Sequence, residues 1–154
     1  MTDSPKKVPP NQPKWMLKMQ VWLLRHRLMG PMGRSTMVIT TTGRKSGKQF
    51  SVPISYVRDG GSYLALNYLE HSNWLKNVRA NPRVSLNVQG REFPATGCEQ
   101  TTDTPEQVRA LLRVYQREQP KQVERTFGAT PDSPDERLMQ VAEDMSFVRF
   151  VEER

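Results

Sequence analysis

Between residues 36 and 99 the sequence runs through five short stretches rich in β-formers, with glycine, asparagine or proline at the junctions. They are 36–42 (TMVITTT), 49–57 (QFSVPISYV), 62–67 (SYLALN), 83–89 (RVSLNVQ) and 92–99 (EFPATGCE), and 147–151 near the C-terminus supplies a sixth. Asp59-Gly60-Gly61 and Gly90 mark hairpin turns, and one short helical segment, NWLKNVRA, lies between Ser72, a candidate N-cap, and Asn81-Pro82. Strands this closely spaced, with so few helices between them, imply an antiparallel sheet closed into a small barrel. Pro53 cannot donate to a ladder, so it marks an edge or a bulge.

The rest of the chain is helical or irregular. Residues 1–14 hold four prolines and one sizeable apolar side chain, Val8, and read as a flexible arm ahead of a single domain over 15–154. Residues 15–29 form an amphipathic helix with Lys14, Lys18 and Arg25 on one side and Trp15, Met19, Trp22 and Leu23 on another. Lys18 interrupts the apolar run and no small-residue cleavage site follows, so the segment is not a signal peptide. Packed against the barrel, this helix would cover its open end with the tryptophans; alternatively, with Lys6 and Lys7 nearby, it lies on an anionic membrane. After residue 103, Thr104 with Gln107 forms a capping box ahead of the stripe Val108, Leu111, Leu112, Tyr115. Ser133 with Glu136 reads as a second box, opening a helix that carries Leu138, Val141 and Ala142.

Several chemistries are excluded. The single cysteine, Cys98, permits neither an internal disulfide nor a cysteine zinc site, and it reads as a small core filler. The two histidines, His26 and His71, lie outside metal-ligand spacings, so no metal is expected. Nucleophile-elbow, Walker and G-x-G-x-x-G motifs are absent, and no stretch is long and apolar enough to span a bilayer. What remains is cofactor chemistry or simple binding in the cytoplasm. Net charge is +7, but residues 1–50 carry +9, residues 51–100 carry +1, and the remainder carries −3. Such a field draws an anion toward one face: nucleic acid, anionic lipid, or a phosphorylated or carboxylated small molecule. Trp15, Trp22, Tyr56, Tyr63 and Trp74 form no stacking row interleaved with cations, which argues against nucleic acid.

The densest chemistry lies in Thr40-Thr41-Thr42-Gly43-Arg44-Lys45-Ser46-Gly47-Lys48. Two glycines permit a tight connection, Arg44 can grip an oxyanion bidentately, and Lys45 and Lys48 add point charges. A hairpin displaying solvated charge would look the same. This string, followed by RDGG and then W-x-x-N-x-x-A-N-P (Trp74, Asn77, Ala80, Asn81, Pro82), resembles the deazaflavin-dependent nitroreductase family, with matching from about Trp15 to Glu99.

That resemblance implies an α+β, mainly β, split β-barrel like that of pyridoxine 5′-phosphate oxidases and FMN-binding proteins, with an N-terminal helix and a helical C-terminal insertion. It implies coenzyme F420, a deazaflavin bearing a phosphate and an oligoglutamate tail, as cofactor. Reduced coenzyme would pass hydride to an electron-poor acceptor, namely a quinone, a nitro compound or an activated alkene. Lys45 matches the lysine on the coenzyme phosphate, with Arg44, Ser46 and Gly47 shaping that loop. Trp74 and Asn77 match positions beside the coenzyme, and Pro53 falls where backbone nears the deazaflavin ring. Asn67 and Tyr68 occupy the strand end facing the ring edge, Tyr68 being the candidate proton donor. Phe50 stands where many members carry an arginine, so Lys48, Arg79 or the N-terminal lysines would supply that charge. For Trp74, plain packing of the short helix is the competing reading. The same barrel could hold FMN or haem, or carry a fatty acid without turnover, and it could pair into a homodimer.

Overall fold

The computed structural model describes residues 14–28, 30, 34–68 and 72–153. The expected arm, apart from Lys14, lies outside these residues, as do Lys6, Lys7, the segment 69–71 with His71, and the end of the expected N-terminal helix at Met29. Six strands form the barrel: β1 (Thr36–Thr42), β2 (Gln49–Asp59), β3 (Ser62–Asn67), β4 (Arg83–Val88), β5 (Arg91–Glu99) and β6 (Ser146–Glu152). Each neighbouring pair is antiparallel and the order β1-β2-β3-β6-β5-β4 closes on itself. The helices are α1 (Lys14–Arg25), α2 (Asn73–Ala80), α3 (Pro105–Glu118), α4 (Val123–Phe127) and α5 (Asp135–Asp144).

Side-chain alternation builds two cores on the two faces of one sheet. Met37, Ile39, Ile54, Tyr56, Ala65, Leu86 and Phe150 fill the barrel, and Leu75 and Val78 of α2 join them at one end. Leu64, Leu66 and Phe147 point outward instead, into a second cluster with Leu111, Leu112, Phe127 and Leu138 from the helical insertion. Strands β1 and β3 are covered on both faces, which explains why TMVITTT and SYLALN show no clean polar alternation. The turns follow the sequence signals. Asp59 pairs with Ser62 across Gly60 (φ 60°), and Val88 pairs with Arg91 across Gln89 and Gly90, both at positive φ.

Pro53 sits inside β2, opposite Val38 of β1. The neighbouring Tyr56 N–H donates to Ser35 of the β1 side, so by alternation the nitrogen of Pro53 faces away from β1. On that side β3 pairing starts only at Tyr56, so the ring replaces an N–H with no ladder partner.

Four local expectations differ from the structure. Helix α1 stops at Arg25, because Arg27 turns left-handed (φ 58°) while Leu28 N–H reaches Leu23 O and Arg27 N–H reaches Leu24 O, a Schellman end. Its tryptophans do not pack on the barrel. Val21 and Leu24 pack on Val38 of the outer wall, leaving Trp15 65% and Trp22 54% exposed. Cys98 is exposed rather than core, since Phe93, Ala95 and Gly97 set the inward parity of β5. Thr104 and Gln107 form the full capping box, and Ser72 stands at the N-cap of α2 without a side-chain hydrogen bond, whereas Ser133 makes no cap; its hydroxyl accepts from Thr130 N–H instead.

Asp59 ties the β2–β3 hairpin to β6 and α3, accepting from Arg149 Nη1 and Arg117 Nη2, each at 2.8 Å. The hydrogen bond from Arg149, with Arg117 beside it, holds this carboxyl below the usual carboxylate range. A depressed pKa stabilises the fold above the unfolded value, and the benefit disappears as pH falls through the folded one. Asp59→Asn should therefore cost about 1 kcal/mol at neutral pH, allowing for solvent screening. The gap between the two proteins in urea titrations should close as pH drops through the carboxylate range and below it.

Candidate functional site

The inward faces of β1 and β2 run out at one end of the barrel before anything covers them. Val52 continues the row above Ile54 and Tyr56, and the last rung, Phe50, is half exposed at the rim. From β1, Thr41 lies opposite Phe50 and is 2% exposed. Helix α2 closes the other side with Trp74 and Asn77. The result is a cavity of about 380 Å³ with Val52, Phe50 and Trp74 as apolar walls, Thr41 and Asn77 as buried polar groups, and Arg44, Lys45 and Ser46 at the entrance. That volume falls within the range of small-molecule and cofactor sites.

The entrance is the β1–β2 turn. Gly43 N–H donates to Lys48 O at 2.7 Å and Gly47 N–H to Gly43 O at 3.0 Å, while the Ser46 hydroxyl accepts from Lys48 N–H at 3.2 Å. Gly47 adopts φ 70°, and any side chain at Gly43 would strike the Phe50 ring, so both glycines serve the turn. Below the turn, the buried Asn77 amide accepts from Arg44 Nη1 (2.9 Å) and Arg44 N–H (3.3 Å) and donates to Thr41 Oγ1 (3.0 Å). Trp74 leans on Phe150 with ring centroids 6.4 Å apart, so it is both packing for α2 and a wall of the cavity.

Of the residues singled out from the sequence, Arg44, Lys45, Ser46, Trp74 and Asn77 meet around this cavity. Gly47 and Lys48 belong to the same turn without lining it. Pro53 lies one step along β2 from Val52, on the opposite pleat. Asn67 is buried at the end of β3, opposite Ser146, and the register of β2 with β3 brings it level with Ile54, midway along β2 and outside the cavity lining. Tyr68 follows it, 41% exposed; burial of its phenol raises the pKa, partly offset by a hydrogen bond with Thr126 of α4. Arg79 points away and is held by Glu99 through two bonds of 2.8 and 2.7 Å, which lower the carboxyl pKa and raise that of the guanidinium.

Thr41, Val52 and Asn73 also border the cavity and were not anticipated; the period-two row Phe50, Val52, Ile54, Tyr56 carried the signal for Val52. Among the described residues, no three His, Cys, Asp or Glu converge as a metal site. The arrangement suits a ligand with a flat apolar body and an anionic end: the body fits the cavity, and the cations sit at its mouth.

A family profile described as F420H(2)-dependent quinone reductase matches residues 12–144. An F420H(2)-dependent quinone reductase of Mycobacterium tuberculosis is 31% identical over 75 residues, which cover 46% of this chain and 49% of that protein. A Mycobacterium bovis protein, named a putative F420H(2)-dependent quinone reductase, matches to the same extent. The chain thus spans about half the length of the curated relatives it matches. Among solved structures, an F420-H2 dependent reductase superposes with TM-score 0.51 at 22% identity, covering 76% of this chain and 94% of the other. A Listeria innocua protein described as a putative pyridoxamine 5′-phosphate oxidase superposes with TM-score 0.53 at 10% identity, covering 89% and 94%. At these identities the superpositions establish the split-barrel fold.

Proposed function

The chain belongs to the F420H(2)-dependent quinone reductase family, and from that premise we propose that it binds coenzyme F420 at the barrel mouth and reduces a quinone. The observation that carries this reading is the pairing of an apolar cavity of about 380 Å³ with Arg44 and Lys45 at its entrance. The residues fit the group. Arg44 and Lys45, with the Ser46 hydroxyl, would hold the coenzyme phosphate, and Val52, Phe50 and Trp74 would border the ring and keep water from it. When bound, the reduced coenzyme supplies the hydride.

The chain's own contribution is binding, orientation and a dry wall. Tyr68, which follows β3 and hydrogen-bonds with Thr126, has a phenol that is protonated at physiological pH, and burial raises its pKa further. It is the residue we assign to pass a proton to the reduced acceptor, water being the competing source. Nitro compounds and activated alkenes are further acceptors, requiring the same electron deficiency.

Fluorescence titration with the oxidised coenzyme tests the reading, and no quenching at micromolar coenzyme overturns it. Lys45→Ala should weaken binding by about 1 to 3 kcal/mol if it makes a charge-assisted phosphate contact. An unchanged dissociation constant would mean that the phosphate sits elsewhere.

A specific feature favours peripheral contact with an anionic membrane, where lipid quinones reside. Trp15, Met19 and Trp22 stand exposed on α1, with Lys14 and Lys18 on the same helix. Among the described residues no helix is long and apolar enough to cross a membrane. Flotation with anionic but not neutral liposomes, abolished by Trp15→Ala with Trp22→Ala, is the expected result.

A further inference from the structure

The polar interior of the site is concentrated in one side chain. Asn77 is 2% exposed, yet its amide reaches back 33 and 36 residues to Arg44 and Thr41. Arg44 offers only donors, from its backbone and its guanidinium, so the carbonyl oxygen of Asn77 must face it and the amide nitrogen must face Thr41. Both lone pairs of that oxygen are then occupied and one of two amide protons is spent. At most one donor remains for a ligand.

Asn77 itself cannot drift. It sits between Leu75 and Val78, which are buried in the barrel core, and Val78 lies against Gly97 so closely that a Cβ there would stand 2.9 Å from Val78 Cγ1. Arg44 is the opposite case: it is exposed, on a turn, with a long side chain that would lose rotamer freedom on gripping an anion. A rigid buried acceptor holding both its backbone and its guanidinium removes part of that loss beforehand.

We propose that Asn77 is a positioning residue: it presets Arg44 and the Gly43–Lys48 turn for an anionic ligand and acts through Arg44, without gripping the ligand. This rests on the coenzyme reading only for the identity of the anion. An ion pair in place of the amide would spoil the device, because a carboxylate would accept the same two bonds while cancelling the charge meant for the ligand.

The test uses the full chain, with oxidised coenzyme F420 as the probe followed by fluorescence quenching, in the wild type, N77A, R44A and the double variant. The expected result is a dissociation constant about tenfold weaker for N77A in the wild-type background and about threefold or less weaker in the R44A background, where only the bond to the backbone N–H of residue 44 is left to lose. N77D should keep its melting temperature within a few degrees, bind at least as weakly as N77A, and show a shallower dependence of affinity on salt. Equal factors in both backgrounds would make Asn77 a direct ligand contact and overturn the proposal, as would wild-type affinity in N77D.

A second measurement needs no coenzyme. In ligand-free protein, amide hydrogen exchange across residues 43–48 should accelerate about tenfold in N77A, while the β3–β6 pairing stays protected. Unchanged exchange in the turn overturns the proposal as well. A wild type that fails to bind coenzyme removes the functional reading, and the exchange comparison still decides the role of Asn77.

Discussion

Phe147→Ala is expected to lower unfolding stability by about 3 to 5 kcal/mol, as for other fully buried aromatics cut to the β-carbon. Phe147 has no exposed surface, lies 5.9 Å from the stacked Phe127 ring and 6.1 Å from Tyr115, and is the residue through which β6 meets the helical insertion. Domains of this size hold roughly 5 to 15 kcal/mol in all, so in the middle of that range the loss takes about a third to a half of the margin. Urea titration of the variant beside Val151→Ala is the check, because Val151 is on the same strand but 52% exposed and should change stability by about 0.5 kcal/mol or less. Coenzyme affinity should hold within about twofold while the variant is folded, since Phe147 faces away from the barrel interior that opens into the cavity. A loss below about 1 kcal/mol would show that the insertion contributes little to the stability of the barrel.

Charge reversal at the entrance should separate binding from folding in the other direction. Arg44→Glu places an anion where the coenzyme phosphate is proposed to rest and takes from the Asn77 carbonyl its guanidinium donor, leaving the bond from the backbone N–H of residue 44. A weakening of about a hundredfold or more in the dissociation constant is expected, equivalent to about 2.7 kcal/mol. Stability should fall by only about 1 kcal/mol, the cost of losing one of the two hydrogen bonds to a buried acceptor. Retained affinity would place the anionic end of the ligand away from this turn.

The barrel was legible because its signals are local. Hairpin glycines, β-branched runs and the Thr104–Gln107 box each act over two to four residues, and all three appear in the structure. Ser133 shows the limit of such signals: the same hydroxyl has a nearer donor in Thr130 N–H, and the turn wins over the cap. Cys98 was misplaced because its small neighbour Gly97, not the thiol, occupies the inward position below Phe150, and only counting parity from Phe93 reveals that. At the site, the cationic turn could be seen in nine consecutive residues. The walls could not, since Phe50 and Thr41 become neighbours of Trp74 only once β1 and β2 pair and α2 folds across the mouth. Nor could the Arg79–Glu99 pair, which joins residues 20 apart and commits a charge that otherwise looks available for a ligand.

The absence of a side chain at Gly97 has a consequence for how such a pocket can diversify. With Val78 and the Phe150 ring already within 3 Å of where a methyl group would stand, the helical wall is jammed against the barrel and has no slack to give to a bulkier visitor. Room for change in the shape of the cavity is therefore found on the opposite bank, at position 50, where a half-exposed side chain borders open solvent.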